Sequence, residues 1–518
     1  MNGKILWADD EIELLKPHIL FLKDKGYEIT QAKSGDEAIE HAQESHYDIV
    51  FLDENMPGLS GLESLVKIKE IQPDVPIVMI TKSEEEFLMD DAIGSQISDY
   101  LIKPVNPKQI LLSIKKLLEN KRLVSEKVTT QYQQDFAQLS MRVNENLDAD
   151  EWIEVYKKIV HWDMELSKSA AEGMRFVLDT QRTEANSNFA RFVDKNYFNW
   201  IKNPNMLQTP VLSHTLLNKK ILPLLDGDVP VYFILIDNLR YDHWKALQPR
   251  FAELFRIQED TAYFSILPTA TNYSRNAIFA GLTPAEIQKK YPNKWFNDED
   301  EGGKNQFEED FLKDYLQRAR KDIKFSYNKI TNLNAGRTLL ENMNNLQNYK
   351  LNVIVYNFVD LLSHVRTEME VIKELAEDES AYRSLVRTWF EHSPLHEMLK
   401  KIAEKKANIV VSTDHGSVLV KKPSRIVGDR DTTTNLRYKN GKNLNYQAKE
   451  VFAVSKPEDA GLPKPHVSTS YAFAKEDFFF VYPNNYNHYV NMYKNTFQHG
   501  GLSLEEMIIP VITMQTKV

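Results

Sequence analysis

The sequence contains no cysteine, and this absence narrows the chemistry available to the chain. Without thiols it can form no disulfide, bind no zinc through thiolate and use no cysteine as a nucleophile. It also lacks long apolar runs: none approaches the length of a membrane span, and the N-terminus has no apolar signal core. These absences predict a cytoplasmic protein with no membrane insertion.

Positive charge is in deficit, with 64 lysines and arginines against 74 acidic residues and a net charge of −10. This balance argues against a protein whose main surface grips nucleic acid, although a local basic groove stays possible. At 518 residues the chain is too long for a single core, so several domains are expected.

Four apolar runs in the first 120 residues predict strands, and each ends in a polar side chain. The first ends in Asp9 and Asp10, the second in Asp53, the third in Thr81 and the fourth in Lys103. Helix-period segments separate these runs, which predicts a doubly wound parallel sheet with all strand ends at one edge. Clustered carboxylates at that edge favour Mg²⁺, and the added lysine suits phosphoryl transfer onto a carboxylate.

The order of these residues resembles the flavodoxin-like receiver domain of two-component response regulators. The resemblance implies Asp53 as phosphoacceptor and a Mg²⁺ site made by Asp9, Asp10, Asp53 and the backbone carbonyl of Asn55. It also implies Thr81 and Lys103 as phosphate contacts and Tyr100 as the switch aromatic. The expected partner is a sensor histidine kinase.

Helical periodicity dominates from about residue 106 to 200 and predicts a small bundle. Asp148 and Glu151 have the spacing of an N-cap pair that opens its second helix. The region shows no clear helix-turn-helix and is not basic, so a structural spacer is favoured over a DNA-binding domain.

The last 300 residues bring together metal-binding side chains near the ends of apolar runs. They are Asp237, Asp360, His364, Asp414, His415 and, near the C-terminus, His499. Taken alone, the Thr413–Gly416 stretch is more simply a polar turn. With Thr271, however, the set supplies ligands for two zinc-like ions, and three carboxylates with an alkoxide balance their charge.

This spacing resembles the alkaline phosphatase superfamily, specifically its PglZ-like branch. The resemblance implies one Zn²⁺ held by Asp237, Thr271, Asp414 and His415, and a second held by Asp360, His364 and His499. It also implies Thr271 as nucleophile, with amides of the helix near Asn272 as phosphate donors. Thr269 is the weaker candidate, because the superfamily spacing after Pro268 falls on Thr271.

Threonine as nucleophile is typical of the superfamily's nucleotide phosphodiesterases, so the expected substrate is a phosphodiester nucleotide or oligonucleotide. The basic stretch 421–443 contains three candidate phosphate contacts, Arg430, Arg437 and Lys439. They predict a lip that steers an anionic polymer. A merely solvated loop is the competing interpretation.

The predicted domains are a receiver at 1–120, a helical bundle spacer at 121–205 and a PglZ-like α/β domain at 206–518. This order resembles the response regulators associated with type IX secretion. It implies a phosphorylation-dependent homodimer, contacts with secretion components and an extracytoplasmic-function sigma factor, and zinc-dependent catalysis. The alternative is a non-catalytic docking module that the metals only stabilise.

Overall fold

The computed structural model describes residues 3–82, 97–168, 172–300, 302–362, 378–429 and 432–517. The chain forms two compact units, Met1–Gln131 and Tyr132–Val518. Across the described ranges no helix is both long and apolar enough to cross a bilayer.

The first unit is built on a parallel five-stranded sheet in the order β2-β1-β3-β4-β5. Its strands are β1 (Lys4–Ala8), β2 (Glu28–Ala32), β3 (Ile49–Asp53), β4 (Ile77–Thr81) and β5 (Asp99–Ile102). Leu6 and Leu52 enter one apolar cluster, while Trp7 and Phe51 enter the other. Because alternate side chains point to opposite faces, the sheet is buried on both. The predicted doubly wound fold is confirmed.

The helices of this unit are α1 (Lys16–Asp24), α2 (Gly35–Glu44), α3 (Gly61–Ile71) and α4 (Pro107–Val143), which continues into the second unit. Ser60 caps α3 in a capping box with Glu63. The edge strand β2 was not predicted, because its residues are only partly buried and it ends without a chemically distinctive side chain.

The helical region of the second unit continues with α5 (Ala149–Ser167) and α6 (Glu172–Lys202). Asp148 Oδ1 accepts the backbone N–H of Glu151 at 2.9 Å, and the reciprocal bond is also 2.9 Å, so the predicted N-cap pair is confirmed. Phe189 of α6 packs 5.5 Å from Trp152 and 5.9 Å from Phe264, between ring centroids. The helices therefore share a core with the following α/β domain.

The α/β domain contains a mixed six-stranded sheet in the order β7-β19-β10-β6-β9-β8. Its strands are β6 (Val231–Ile236), β7 (Phe255–Phe264), β8 (Phe325–Ile330), β9 (Leu351–Tyr356), β10 (Asn408–Ser412) and β19 (Ile508–Thr516). Strands β10, β6, β9 and β8 are parallel, and β19 joins β10 to β7 by antiparallel pairing. Ser412 pairs with Leu235, and Ile236 pairs with Tyr356. The residues after β6, β9 and β10 therefore emerge at one edge.

Helices and small sheets surround this central sheet. The helices are α7 (Tyr241–Leu254), α8 (Thr271–Ala280), α9 (Pro284–Lys290), α10 (Glu308–Arg318), α11 (Leu333–Glu341), α12 (Glu379–Glu391), α13 (Pro394–Ala403), α14 (Tyr486–Tyr493) and α15 (Leu504–Met507). The short strands are β11 (Val418–Leu419), β12 (Lys422–Val427), β13 (Tyr438–Gly441), β14 (Asn445–Tyr446), β15 (Val451–Val454), β16 (Ser470–Ala474), β17 (Phe478–Val481) and β18 (Phe497–Gln498). The predicted α/β class is confirmed for this domain too.

Candidate metal centres

Three carboxylates meet at the strand ends of the receiver sheet. Asp9 and Asp10 follow β1, Asp53 ends β3, and one oxygen of each lies within 4.8 Å of the others. Asp9 and Asp53 are buried, whereas Asp10 is exposed. Oxygen donors on one hard, partly open site fit Mg²⁺, which keeps several waters when bound.

Lys103 supplies the positive charge of this receiver cluster. Its Nζ lies 2.8 Å from Asp53 Oδ2 and 3.3 Å from Asp9 Oδ2. Burial raises the pKa of the Asp53 carboxyl, and the hydrogen bond from Lys103 opposes that rise. Burial alone would lower the pKa of Lys103, but its contacts with Asp53 and Asp9 raise it.

The remaining predicted receiver residues lie at the same edge or beside it. Thr81, which ends β4, is fully buried. Asn55 is exposed just after β3. The side chain of Tyr100 in β5 is 46% exposed, a position from which an aromatic ring can change its packing.

A second cluster lies at the strand ends of the large sheet. Asp237 follows β6, and Asp414 and His415 follow β10; one ligand atom of each lies within 4.8 Å of the others. His415 Nε2 is 3.6 Å from Asp237 Oδ1 and 4.0 Å from Asp414 Oδ2. All three side chains are buried, and their adjacency follows from the parallel register of β6 and β10.

His415 also belongs to a neighbouring group with Asp360 and His499. His499 Nε2 lies 3.6 Å from Asp360 Oδ1, and the imidazole rings of His415 and His499 stack with centroids 4.2 Å apart. His364, the remaining predicted ligand, lies outside the described residues. The five described ligands thus form two groups that share one imidazole.

Thr271 is the first residue of α8 and faces both clusters. Its Oγ1 lies 3.0 Å from His415 Nε2 and 3.4 Å from Asp237 Oδ1. Thr269 points elsewhere: its hydroxyl donates to the Gly501 carbonyl at 2.8 Å and accepts the Gly500 N–H at 3.1 Å. Of the two threonines, Thr271 is the one whose hydroxyl lies beside the candidate ligands.

Burial changes the acidity of the carboxylates in this site. Burial raises the pKa of the Asp237 carboxyl, an effect that the neighbouring Arg275 guanidinium opposes, and burial likewise raises the pKa of Asp414. Asp414 Oδ2 is buried without a hydrogen-bond partner among the described residues. Imidazole nitrogens and carboxylate oxygens are donors that zinc takes in hydrolases, so the five described residues fit the binding of divalent metal.

Arg275 and Asn238 were not predicted as part of the site. Arg275 Nη1 donates to Asp237 Oδ2 at 2.9 Å, and Asn238 Nδ2 donates to Asp360 Oδ1 at 3.3 Å. Position i+4 after Thr271 places Arg275 on the same helix face, so that spacing was an available signal. Asn238 follows a ligand directly, in the left-handed backbone region at φ 61°, and offered no comparable signal.

The predicted substrate contacts need correction. Arg437 is fully buried and pairs with Glu506 Oε2 at 2.6 Å. Lys439 is 1% exposed and donates to the Thr433 carbonyl at 2.6 Å, and burial lowers its pKa to about 7. Neither can act as an exposed phosphate contact, because both side chains are buried. Residue type and basic composition alone did not reveal that burial. Arg430 lies outside the described residues.

Asn272, the fourth predicted contact, lies partly buried beside Thr271 and is held by an internal carboxylate. Its Nδ2 donates to Asp298 Oδ1 at 2.6 Å. The same carboxylate accepts the Tyr273 hydroxyl at 2.7 Å and the Tyr438 hydroxyl at 3.0 Å. The side chain of Asn272 is thus fixed at the N-terminus of α8, next to the candidate nucleophile.

Three family models match the chain in succession. The receiver domain of response regulators matches residues 5–115, and the PorX response regulator linker domain matches residues 122–201. The BREX system PglZ alkaline phosphatase-like domain matches residues 216–514, which is more than half of the chain.

Similar proteins with curated descriptions match through the receiver. The transcriptional regulatory protein ResD of Bacillus subtilis is 36% identical over 115 residues, covering 22% of this chain and 48% of its own. The transcriptional regulatory protein SrrA of Staphylococcus aureus is 33% identical over 118 residues, which cover 23% of this chain and 48% of SrrA. The chain therefore spans about half the length of these relatives. Among solved structures, the chemotaxis protein CheY4 of Vibrio cholerae is 31% identical, with 22% of this chain and 98% of that chain covered and a TM-score of 0.21.

Proposed function

The chain belongs to the family of BREX-system PglZ alkaline phosphatase-like domains, in a PorX-type architecture with a receiver and linker, and from this we propose a phosphorylation-controlled, zinc-dependent phosphodiesterase. One observation carries the proposal. The Thr271 hydroxyl lies within 3.4 Å of a histidine and an aspartate that belong to a buried ligand cluster. A docking module would have no need of a nucleophile in that position.

Two zinc ions would be held by the two groups that share His415. Asp237, Asp414 and His415 would hold one, with Thr271 beside it, and Asp360 and His499 the other, together with His364. When bound, the ions supply positive charge to the developing phosphoryl transition state. Asp237, Asp414 and His415 are buried, so water would screen the attraction between an ion at this group and the phosphoryl oxygens less than in solvent.

The residues of the chain position the nucleophile and the phosphoryl group. Thr271 Oγ1 would form the new bond to phosphorus while the bond to the leaving alcohol breaks, and water would then hydrolyse the threonine ester. Because α8 begins at Thr271, the free N–H groups of its first turn are available to the phosphoryl oxygens. Asn272, fixed by Asp298, adds a polar side chain beside them.

The preferred substrate is a phosphodiester, such as a nucleotide or oligonucleotide. Threonine as the nucleophile supports this choice within the superfamily. The exposed basic residues of the 421–443 stretch remain candidates for steering an anionic polymer, but Arg437 and Lys439 are excluded from that role by their burial.

The receiver would switch this activity. A sensor histidine kinase would phosphorylate Asp53, with Mg²⁺ at Asp9, Asp10 and the Asn55 carbonyl, while Lys103 and Thr81 contact the phosphoryl group. Rearrangement of Thr81 and Tyr100 would then favour a homodimer. The PorX-type architecture supports a role in type IX secretion, with a sigma factor or secretion components as further partners.

The decisive experiment compares the wild type with Thr271→Val on bis-p-nitrophenyl phosphate and p-nitrophenyl phosphate after zinc loading. We expect the diester to be preferred and the variant to lose turnover by at least about 1000-fold, because it lacks the group that bonds to phosphorus. Zinc content should stay close to that of the wild type.

Thr183→Val makes the same chemical change at an exposed position of α6 and serves as the control. Unchanged turnover in Thr271→Val would refute the nucleophile. Zinc-loaded wild type that hydrolyses neither ester nor short oligonucleotides would favour the docking module.

A further inference from the structure

Arg275 touches both carboxylates of the Asp237–Asp414–His415 group. Its Nη1 donates to Asp237 Oδ2 at 2.9 Å, and its Nε lies 3.7 Å from Asp414 Oδ2. The other oxygen of Asp237, Oδ1, is the one that faces Thr271 and His415. The guanidinium therefore binds one oxygen of Asp237, while the other faces Thr271 and His415.

Arg275 also donates hydrogen bonds to two side chains that are not candidate ligands, Glu308 and Asn357. Its Nε donates to Glu308 Oε1 at 2.7 Å, and its Nη1 also donates to Asn357 Oδ1 at 3.1 Å. The second oxygen of Glu308 accepts the ammonium of Lys329 at 2.8 Å and the hydroxyl of Tyr327. The side chains of Arg275 and Glu308 are only 2% and 1% exposed.

We propose that Arg275 is a positioning residue that orients Asp237 and Asp414 for a metal ion, and that Glu308 locks Arg275 in that orientation. The inference rests on the metal centre of the proposed function. A planar guanidinium reaches several acceptors at fixed angles, whereas a lysine ammonium offers a single point charge. Groups that hold metal ligands from outside the coordination shell commonly change affinity about 10- to 100-fold when removed.

Stability alone is a weaker explanation for this buried network. Buried ion pairs usually add little net stability over apolar residues of similar volume, since desolvation offsets their attraction. The charges are also unequal: three carboxylates, Asp237, Asp414 and Glu308, face two cations, Arg275 and Lys329. Asp237 and Asp414 also lie beside His415, and Asp237 beside Thr271, so a cation bound there would balance the third carboxylate.

The test measures zinc itself as well as turnover. Arg275→Lys and Glu308→Gln should weaken zinc binding about 10- to 100-fold in competition with a chromophoric chelator. They should retain one zinc ion per chain at concentrations where the wild type retains two, because the ligand carboxylates paired with Arg275, Asp237 and Asp414, both belong to the first group. Tyr327→Phe, which removes only one donor to Glu308, should weaken binding a few-fold and keeps the test informative if the stronger variants do not fold.

Arg383→Lys is the matched control. Arg383 is also a buried arginine, and in the described part of the chain its ion pairs are with Asp163 and Asp242, which are not candidate ligands. We expect its melting temperature to fall while its zinc affinity stays within about twofold. If wild type binds two zinc ions and all Arg275, Glu308 and Tyr327 variants match it, the inference is overturned and the proposed function stands. Wild type that binds no zinc would overturn both.

Discussion

The two carboxylate clusters of the molecule differ in the cation beside them. In the receiver it is Lys103, whose side chain is 27% exposed and contacts Asp9 and Asp53. In the α/β domain it is Arg275, whose side chain is 2% exposed and held by acceptors on several sides. A lysine ammonium on a flexible stem can move from a carboxylate to a new phosphoryl group, whereas a buried arginine fork stays in place.

The metal-binding side chains are also more exposed in the receiver than in the α/β domain. Asp10 of the receiver is open to solvent, whereas Asp237, Asp414 and His415 are all buried. Under the proposed function this difference is expected, because a phosphoryl donor would have to reach Asp53, whereas hydrolysis would gain from a preorganised, low-dielectric environment. The contrast between an adaptable cation and a fixed one can be tested.

The largest effect should come from removing a ligand from the buried cluster. Asp237→Asn should lower diester hydrolysis by at least about 1000-fold and release one zinc ion, because a neutral amide replaces a ligand carboxylate. Labelling of Asp53 by acetyl phosphate should be unaffected and shows that the receiver is folded. Asp228→Asn, the same change at an exposed residue before β6, is the control. Retained zinc and turnover in Asp237→Asn would remove this cluster from the mechanism.

The two cations should respond in opposite directions. Lys103→Met should tighten Mg²⁺ binding to the receiver about fivefold, because a nearby charge that competes with the ion is worth about 1 kcal/mol in a solvated site. Arg275→Lys should instead weaken zinc binding. Calorimetric titration of Mg²⁺ into Lys103→Met and wild type measures the first effect, with Lys108→Met as an exposed control on α4. Weaker Mg²⁺ binding in Lys103→Met would mean that Lys103 orients its carboxylates for the ion. Lys103 and Arg275 would then act alike, and the proposed difference between them would be wrong.

The sequence was most informative where chemistry falls at the end of a buried strand. Asp53, Asp237 and Asp414 each follow a continuous apolar run, and the parallel register then brings neighbouring strand ends together. The fold classes and a pool of metal ligands at these strand ends could therefore be predicted before any coordinates. The grouping of Thr271 with Asp237, Asp414 and His415 was implied by the resemblance to the alkaline phosphatase superfamily. Strand β2 was missed because its pattern carries no such signal.

Side-chain partners across long separations could not be predicted in the same way. Glu308 is 33 residues from Arg275, and only packing of α10 against α8 brings them together. The opposite error occurred at Arg437 and Lys439, where basic composition predicted exposure. The Arg437 guanidinium is held by Glu506 and by the backbone carbonyls of Glu476 and Phe478, and the Lys439 ammonium by the Thr433 carbonyl. The partners of Arg437 lie far along the chain from it, so composition did not reveal its burial.

The smallest expected effect concerns Lys439, a buried cation that donates to a backbone carbonyl. Its protonation tests whether a buried cation needs a carboxylate partner to stay charged. Unlike Arg275, it donates to a backbone carbonyl, and burial lowers its pKa from about 10.5 to about 7. In the unfolded chain the ammonium is protonated below pH 10.5, so the fold opposes protonation. The resulting cost is absent above that pH, grows as pH falls towards 7, and is constant below it.

Lys439→Met removes this pH-dependent cost. Its free energy of unfolding relative to wild type should therefore improve as pH falls from 9 to 7.5, by at most about 1.4 kcal/mol per pH unit. Denaturant unfolding at the two pH values measures the difference, and Lys421→Met, an exposed lysine near β12, controls for the loss of one charge. The loss of the hydrogen bond to Thr433 changes the free energy of unfolding by the same amount at both pH values. It therefore does not alter the dependence of that free energy on pH. A difference that is constant with pH would show that Lys439 is charged in the fold, and that a buried cation here needs no carboxylate.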